Sequence, residues 1–194
     1  MPKYEYDLIV IGGGAGGLTS STFAGQSAAK TLLIEKEEKL GGDCLHFGCV
    51  PSKSLIKSAY AYNVMRHAEK YGLPKVDLPP VDYAKVRDRI KNIVDTIQVH
   101  DEPEYLEKKY NVETKFGEAK FVDEHTITLN GQKVTSRYFV ISTGSSPFIP
   151  PIEGLDKVDY LTNMNVFSMD TLPSKMIVMG GLSLIHISEP TRPY

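Results

Sequence analysis

Cys44 and Cys49 are the only two cysteines of a 194-residue chain, and they stand five residues apart. A close pair in an otherwise cysteine-free chain has three chemistries open to it: a reversible disulfide, a metal site, or two inert thiols. In a regular helix this spacing separates the Cα atoms by about 8–9 Å, beyond the roughly 7 Å that a disulfide spans. A bridge therefore requires a distorted segment, and Gly48 and Pro51 are the residues that permit one. A bridge made there would be strained, solvent-reachable and easily reduced. A zinc site on Cys44, His46 and Cys49 would need a fourth ligand and a usual spacing, and neither is visible. Two inert thiols leave the glycine and proline framing unexplained. His46 reads as a residue that faces solvent or packs locally. On these residues alone the three readings stay open.

The second chemical feature is glycine. Nine of the 16 glycines fall within the first 48 residues, and five of them lie in Gly12–Gly17. Gly12-Gly13-Gly14-Ala15-Gly16-Gly17 fits G-x-G-x-x-G. In that pattern the first glycine allows a tight turn, the second lets a diphosphate approach the backbone, and the third permits close helix–strand packing. The helix that follows presents free N–H groups and the positive end of its dipole. Glu35, 18 residues after Gly17, stands where an acid hydrogen-bonds an adenosine ribose. The motif alone does not separate FAD from NAD.

These residues need elements to position them. Tyr6–Ile11 (YDLIVI) is a near-continuous apolar run ending in glycines, the pattern of a buried parallel strand. Ala15 to Lys30, rich in small residues, predicts a helix, and Thr31–Glu35 (TLLIE) a second buried strand; together they make a βαβ unit. Ser52–Tyr71 has helical spacing. Leu78-Pro79-Pro80 breaks the chain, and a second long helix carries Val86, Ile90, Ile93, Val94 and Ile97 as an apolar stripe. From Val112 the period is two. Thr126–Leu129, Asn130-Gly131 and Lys133–Thr135 predict a hairpin with a type I′ turn, and Arg137–Ser142 a buried strand. Pro147, Pro150 and Pro151 mark a linker. Lys175–Gly181 (KMIVMGG) echoes DLIVIGG near the start and reads as the first strand of a second nucleotide-binding unit.

Leu40–Lys53 (LGGDCLHFGCVPSK) resembles the redox-active signature of the class I pyridine nucleotide–disulfide oxidoreductases. The Gly loop, Glu35 and Ile141-Ser142-Thr143-Gly144 add three further matches; the last resembles the family's A-T-G segment at the flavin site, with Ser142 in place of alanine. The resemblance covers Tyr4 to Gly181. It implies an α/β fold: a doubly wound, Rossmann-like FAD-binding domain with an inserted β-meander, plus the start of a second nucleotide-binding domain. The expected limits are 1–145 for the FAD domain with its redox-active disulfide, and 146–181 for the linker and first strand of an NAD(P)-binding domain. Position by position, Cys49 resembles the thiol that faces the flavin, Cys44 the interchange thiol that attacks the substrate disulfide, and Lys53 the lysine beside flavin N5. Gly12, Gly14, Ala15, Gly17, Glu35, Lys36, Gly42, Thr143 and Gly144 fall at cofactor-binding positions, and no residue at a metal-binding one. On sequence alone Lys53 also reads as a solvated lysine in a helical first turn.

The implied activity is electron transfer between NAD(P)H, FAD and the Cys44–Cys49 pair. The implied substrate is a small-molecule or protein-bound disulfide, or Hg(II), in a homodimer. Asp43 and His46 depart from the G-G-T-C-[LV]-N-V-G-C form of the lipoamide and glutathione enzymes and look more like mercuric-reductase-like sequences. A flavin-binding thiol sensor without turnover is the alternative.

The remaining composition bounds the partners. Hydrophobic residues make up 41% and charged residues 24%, with a net charge of −2; this is ordinary globular composition without a basic block, which argues against nucleic acid. No apolar run approaches the roughly 20 residues that span a bilayer, and MPKYEYD has no signal region, so a cytoplasmic location is expected. After Met179-Gly180-Gly181 the second glycine motif breaks off. Leu182–Tyr194 resembles the translation of a transposase adapter used in sequencing libraries and is read as a non-native tail. The expectation is the front part of a larger enzyme.

Overall fold

The computed structural model describes residues 4–180. Tyr6–Ile11 (β1), Thr31–Glu35 (β2), Val112–Phe116 (β3), Ala119–Asp123 (β4), Thr126–Leu129 (β5) and Gln132–Ile141 (β6) form one sheet in the order β3-β2-β1-β6-β5-β4. β3, β2, β1 and β6 are parallel to their neighbours, and β6 also pairs antiparallel with β5. The first two strands are buried because both faces are covered. Ile9, Leu32 and Ile34 pack with Ile127, Leu129 and Val134 of the meander on one side. Val10 and Leu33 pack with Leu40, Leu106 and Val112 on the other, where Leu18 of the first helix closes over them.

The helices are Ala15–Gln26 (α1), Gly42–His46 (α2), Cys49–Arg66 (α3), Tyr83–Gln98 (α4) and Pro103–Tyr110 (α5). All but α1 lie between β2 and β3, so the segment that carries the cysteines sits inside the long crossover that returns the chain to the sheet. α1 ends at Gln26 rather than running to Lys30. Ala28 takes a left-handed conformation at φ 63°, and Ala29 N–H reaches back to the Ala24 carbonyl. The alanine-rich tail favours helix, but the chain must turn there to enter β2. α3 begins at Cys49, three residues before the predicted start, because Pro51 lies in its first turn, where a proline costs no hydrogen bond.

The stripe on α4 is formed, with Ile90 buried, although Ile97 is exposed. The Asn130-Gly131 turn has φ of 51° and 80°, both positive, as a type I′ turn requires. β6 is one ten-residue strand. It exchanges its β5 partner for β1 after Thr135; Ser136 N–H still donates to the His125 carbonyl at 2.9 Å, and beyond that residue its other edge pairs with no strand among the described residues. Tyr138 and Ile141 are exposed, against the expectation of a buried strand. Residues 175–180 form no strand either. A parallel strand needs a neighbour, and none lies beside this segment among the described residues. The linker is tied to α4 by Arg87–Asp170 at 2.6 Å. Gly181 and the tail Leu182–Tyr194 lie outside the described residues.

Candidate active site

β1 and β6 end side by side, and α1 leaves from β1 toward β2, so a crevice opens at the carboxyl ends of the strands where the chain changes direction. The glycine loop lines it. Gly12 has φ +104°, and a Cβ there would lie 2.3 Å from the Ser142 carbonyl oxygen. A Cβ on Gly17 would lie 1.7 Å from the Gly12 carbonyl oxygen. These are the tight turn and the close helix–strand contact that the motif predicted. Gly14 caps α1 without any side-chain hydrogen bond, and the first turn carries no acid, so its N–H groups are free to meet an anion. Ala15, exposed, is the first residue of that turn.

Glu35 is buried at the end of β2 and held by three backbone donors. Gly13 N–H donates to Oε2 at 2.6 Å; Lys36 and Glu37 N–H donate to Oε1 at 2.7 and 2.9 Å. Oε2, with a single donor, keeps acceptor capacity for a ribose hydroxyl. The Lys36 ammonium stays at the exposed rim. The Glu35→Gln variant turns an amide donor toward one of these N–H groups. It should cost about 2 kcal/mol, a fall of about 4–8 °C in Tm; a thermal melt within a degree of the parent would refute the arrangement.

Opposite the glycines, Ser142 is bonded into the loop. Its hydroxyl is shared between the carbonyls of Ile11 and Gly12, at 3.1 Å each, and its N–H donates to Ile11 at 2.8 Å. The serine thus fits where the family has alanine. Thr143 and Gly144 lie exposed beyond it at the mouth of the crevice.

The redox segment begins against the same loop. Gly41 N–H donates to the Gly13 carbonyl at 2.9 Å, and a Cβ on Gly42 would lie 2.7 Å from the Gly14 Cα. Cys44 sits in the five-residue α2, and Cys49 is the first residue of α3. The break between them falls at Phe47 and Gly48, whose backbones are non-helical. A side chain on Gly48 would press on the Asp43 carbonyl at 2.9 Å. Gly48 therefore makes the distortion that the spacing demanded, while Pro51 starts α3 rather than bending the chain. Both thiols are free, with Cys49 exposed and Cys44 half-buried. The neighbouring Cys49 thiol, and then burial, push the Cys44 thiol up, while the ammonium of Lys53 pulls it down. Lys53 lies one turn after Cys49 on the same face of α3.

His46 packs locally. Its Nε2 bonds the Leu40 carbonyl at 2.9 Å, and Asp43 is exposed in the first turn of α2. Among the described residues, no three His, Cys, Asp or Glu side chains group as a metal site. The sequence reading missed Gln98, which is buried and donates to the same Leu40 carbonyl at 3.2 Å. The signal was its position: Ile90, Val94 and Gln98 continue one stripe of α4 at four-residue steps.

A family model described as pyridine nucleotide-disulphide oxidoreductase matches residues 6–182. The chain belongs to this family. A mercuric reductase of Staphylococcus aureus is 31% identical over 91% of the chain and 32% of its own length. A mitochondrial dihydrolipoyl dehydrogenase of Schizosaccharomyces pombe is 34% identical over 91% of the chain and 35% of its own length. The chain thus spans about a third of these disulphide oxidoreductase relatives. The structure of the HOCl-induced flavoprotein disulfide reductase RclA from Escherichia coli superposes with a TM-score of 0.70 over 87% of the chain and 35% of that protein, at 22% identity. The fold of this chain is therefore the Rossmann-like α/β fold that the sequence predicted. No helix among its described residues is long and apolar enough to cross a membrane.

Proposed function

We propose that the chain is the FAD-binding and redox-disulfide part of an NAD(P)H-dependent oxidoreductase acting on a disulfide or on Hg(II). The observation that carries this is the contact of Gly41 and Gly42 with Gly13 and Gly14, which begins the cysteine segment on the dinucleotide loop. Residues 1–145 are the FAD domain; 146–181 are a linker and the opening of an NAD(P) domain. Gly12, Gly14, Ala15 and Gly17 would hold the diphosphate, Glu35 the ribose with Lys36 at its rim, and Gly42, Lys53, Thr143 and Gly144 the remainder. FAD, when bound, supplies the two-electron relay between nicotinamide and the sulfur pair.

Cys44 and Cys49 do the thiol chemistry. Two electrons and two protons convert their disulfide to two thiols. The Cys44 thiolate then attacks one sulfur of the substrate disulfide and expels the other as a thiol. Cys49 attacks Cys44 in turn, restoring the intramolecular disulfide and releasing the second thiol. With lipoamide the same steps run in the opposite net direction. Because the neighbouring Cys49 thiol and burial hold the Cys44 thiol up, its attack needs a base, which the homodimer of the longer protein would supply. A cytoplasmic location fits reduced thiols.

Alkylation order tests this reading. In the FAD-free protein the exposed Cys49 should react with iodoacetamide before Cys44; with FAD bound, Cys49 should be shielded and Cys44 should react first. An order unchanged by FAD would overturn it. Steady NAD(P)H oxidation by the longer protein with lipoamide or Hg(II) marks an enzyme, whereas a single stoichiometric reduction marks a sensor.

A further inference from the structure

The segment joining the cofactor loop to the cysteines hangs on two successive glycines, Gly41 at φ +115° and Gly42 at φ +55°. Glycines in this region have many accessible conformations, so something else must choose one. α2, at five residues, is too short to hold itself. Gly41 N–H anchors one side of the hinge to the Gly13 carbonyl; the other side is held at the Leu40 carbonyl, which lies on a buried residue and accepts two hydrogen bonds, from His46 Nε2 at 2.9 Å and from Gln98 Nε2 at 3.2 Å. A carbonyl is acceptor-only, so Nε2 carries the proton of that imidazole. With the Leu45 side chain, the ring also crowds the space a side chain on Gly41 would take: a Cβ there would lie 2.9 Å from Leu45 Cβ and 3.1 Å from Nε2. On the other side Gln98 commits its amide nitrogen to this carbonyl although its own oxygen, buried, has no partner among the described residues.

We propose that His46 is a positioning residue for the Cys44–Cys49 pair: with Gln98 it clamps the Leu40 carbonyl, fixes the Gly41–Gly42 hinge, and so holds the Cys44 helix in reach of Cys49. The hydrogen bond closes a loop from residue 40 to residue 46, and Cys44 lies inside it. Its loss frees α2 to pivot and lowers the effective concentration of one sulfur at the other. The disulfide becomes less favourable and the pair more oxidising. The inference rests on the proposed redox role of the pair.

The test is the equilibrium of the pair with reduced and oxidised glutathione in the intact protein, read by alkylation and mass spectrometry. His46→Phe keeps a ring and loses the donor. It should lower the equilibrium constant for disulfide formation about tenfold, about 30 mV less negative in potential. His46→Gln places an amide donor near the old Nε2 position and should recover the parent value to within about threefold. That variant has no charge, so recovery assigns the effect to the hydrogen bond and not to the Asp101 carboxyl, which feels both His46 and His100. A His46→Phe constant within about twofold of the parent, or a His46→Gln constant as displaced as His46→Phe, would overturn the proposal. Amide exchange of residues 41–48 separates the two readings. If the parent pair forms no disulfide at any glutathione ratio, the redox function falls. Faster exchange in His46→Phe than in both parent and His46→Gln still supports the clamp, and equal exchange overturns it.

Discussion

Cys44→Ser and Cys49→Ser should each abolish disulfide-dependent turnover in the longer enzyme, by at least about 10³-fold, and should do so in two distinguishable ways. Each substitution removes one of the two sulfurs that must bond to one another, so neither variant can store an electron pair. Their spectra should differ, because the two residues stand differently in the fold. Cys49 opens α3 and is exposed, with Lys53 one turn after it; Cys44 is half-buried in α2 and has the Cys49 thiol as its neighbour. If Cys49 is the thiol against the flavin, the long-wavelength absorbance band that grows on two-electron reduction of the parent should vanish in Cys49→Ser and persist in Cys44→Ser. Spectra that are identical in the two variants would remove the assignment. The pH dependence is set by Cys44. Its thiol is held up first by the neighbouring Cys49 thiol and then by burial, so the proton-bearing form is favoured in the folded protein. Its attack on a disulfide should therefore keep accelerating with pH beyond the ordinary cysteine value, unless a base is supplied by another subunit. Loss of turnover without this pH signature would point to a structural rather than a chemical role.

The parts of the site legible in the sequence are those whose chemistry is local. The glycine loop declares itself because Gly12 and Gly17 have no room for a Cβ, and the Asn130-Gly131 turn because both residues take positive φ. The distortion between Cys44 and Cys49 followed from helix geometry, although the residue credited jointly, Pro51, turned out only to start α3. What stayed hidden depends on distant neighbours. β6 reads as two strands, yet it is one strand that changes partners beside Ser136, a fully buried serine whose hydroxyl bonds Tyr138 and Tyr6 carbonyls. α5 buries a single large residue, Leu106, and so has no periodicity; it is marked by its ends alone, Pro103 and Glu104 at its start, Lys108, Lys109 and the left-handed Asn111 at its close. Lys175–Gly181 has the composition of a buried strand, but composition does not supply the neighbours that make one. Gln98, and the hydrogen bonds of the Ser142 hydroxyl, escaped because each acts through a backbone carbonyl far away in sequence.

Gly17→Ala should destabilise the domain by about 3 kcal/mol, a fall of about 6–12 °C in Tm, and weaken FAD binding by at least about 100-fold. Helix propensity alone argues the other way, since alanine is favoured over glycine inside a helix by about 1 kcal/mol. Here packing wins. The new Cβ would stand 1.7 Å from the Gly12 carbonyl oxygen and 2.9 Å from Ser142 Oγ. Neither neighbour can move freely. The Gly12 carbonyl belongs to the turn that leaves β1, and the Ser142 hydroxyl is already committed to the Ile11 and Gly12 carbonyls. α1 must therefore lift away from the sheet, which separates its N-terminal N–H groups from the place where the diphosphate would lie. The adjacent glycine is the control. A Cβ on Gly16 meets only Ser142 Cβ at 3.5 Å, an ordinary contact, and Gly16 is exposed. Gly16→Ala should accordingly be neutral, or stabilising by up to about 1 kcal/mol. Thermal melts with flavin-fluorescence titrations on the two variants decide the matter. If the neighbouring substitutions behave alike, the close approach of α1 to the end of β1 is not what shapes this site.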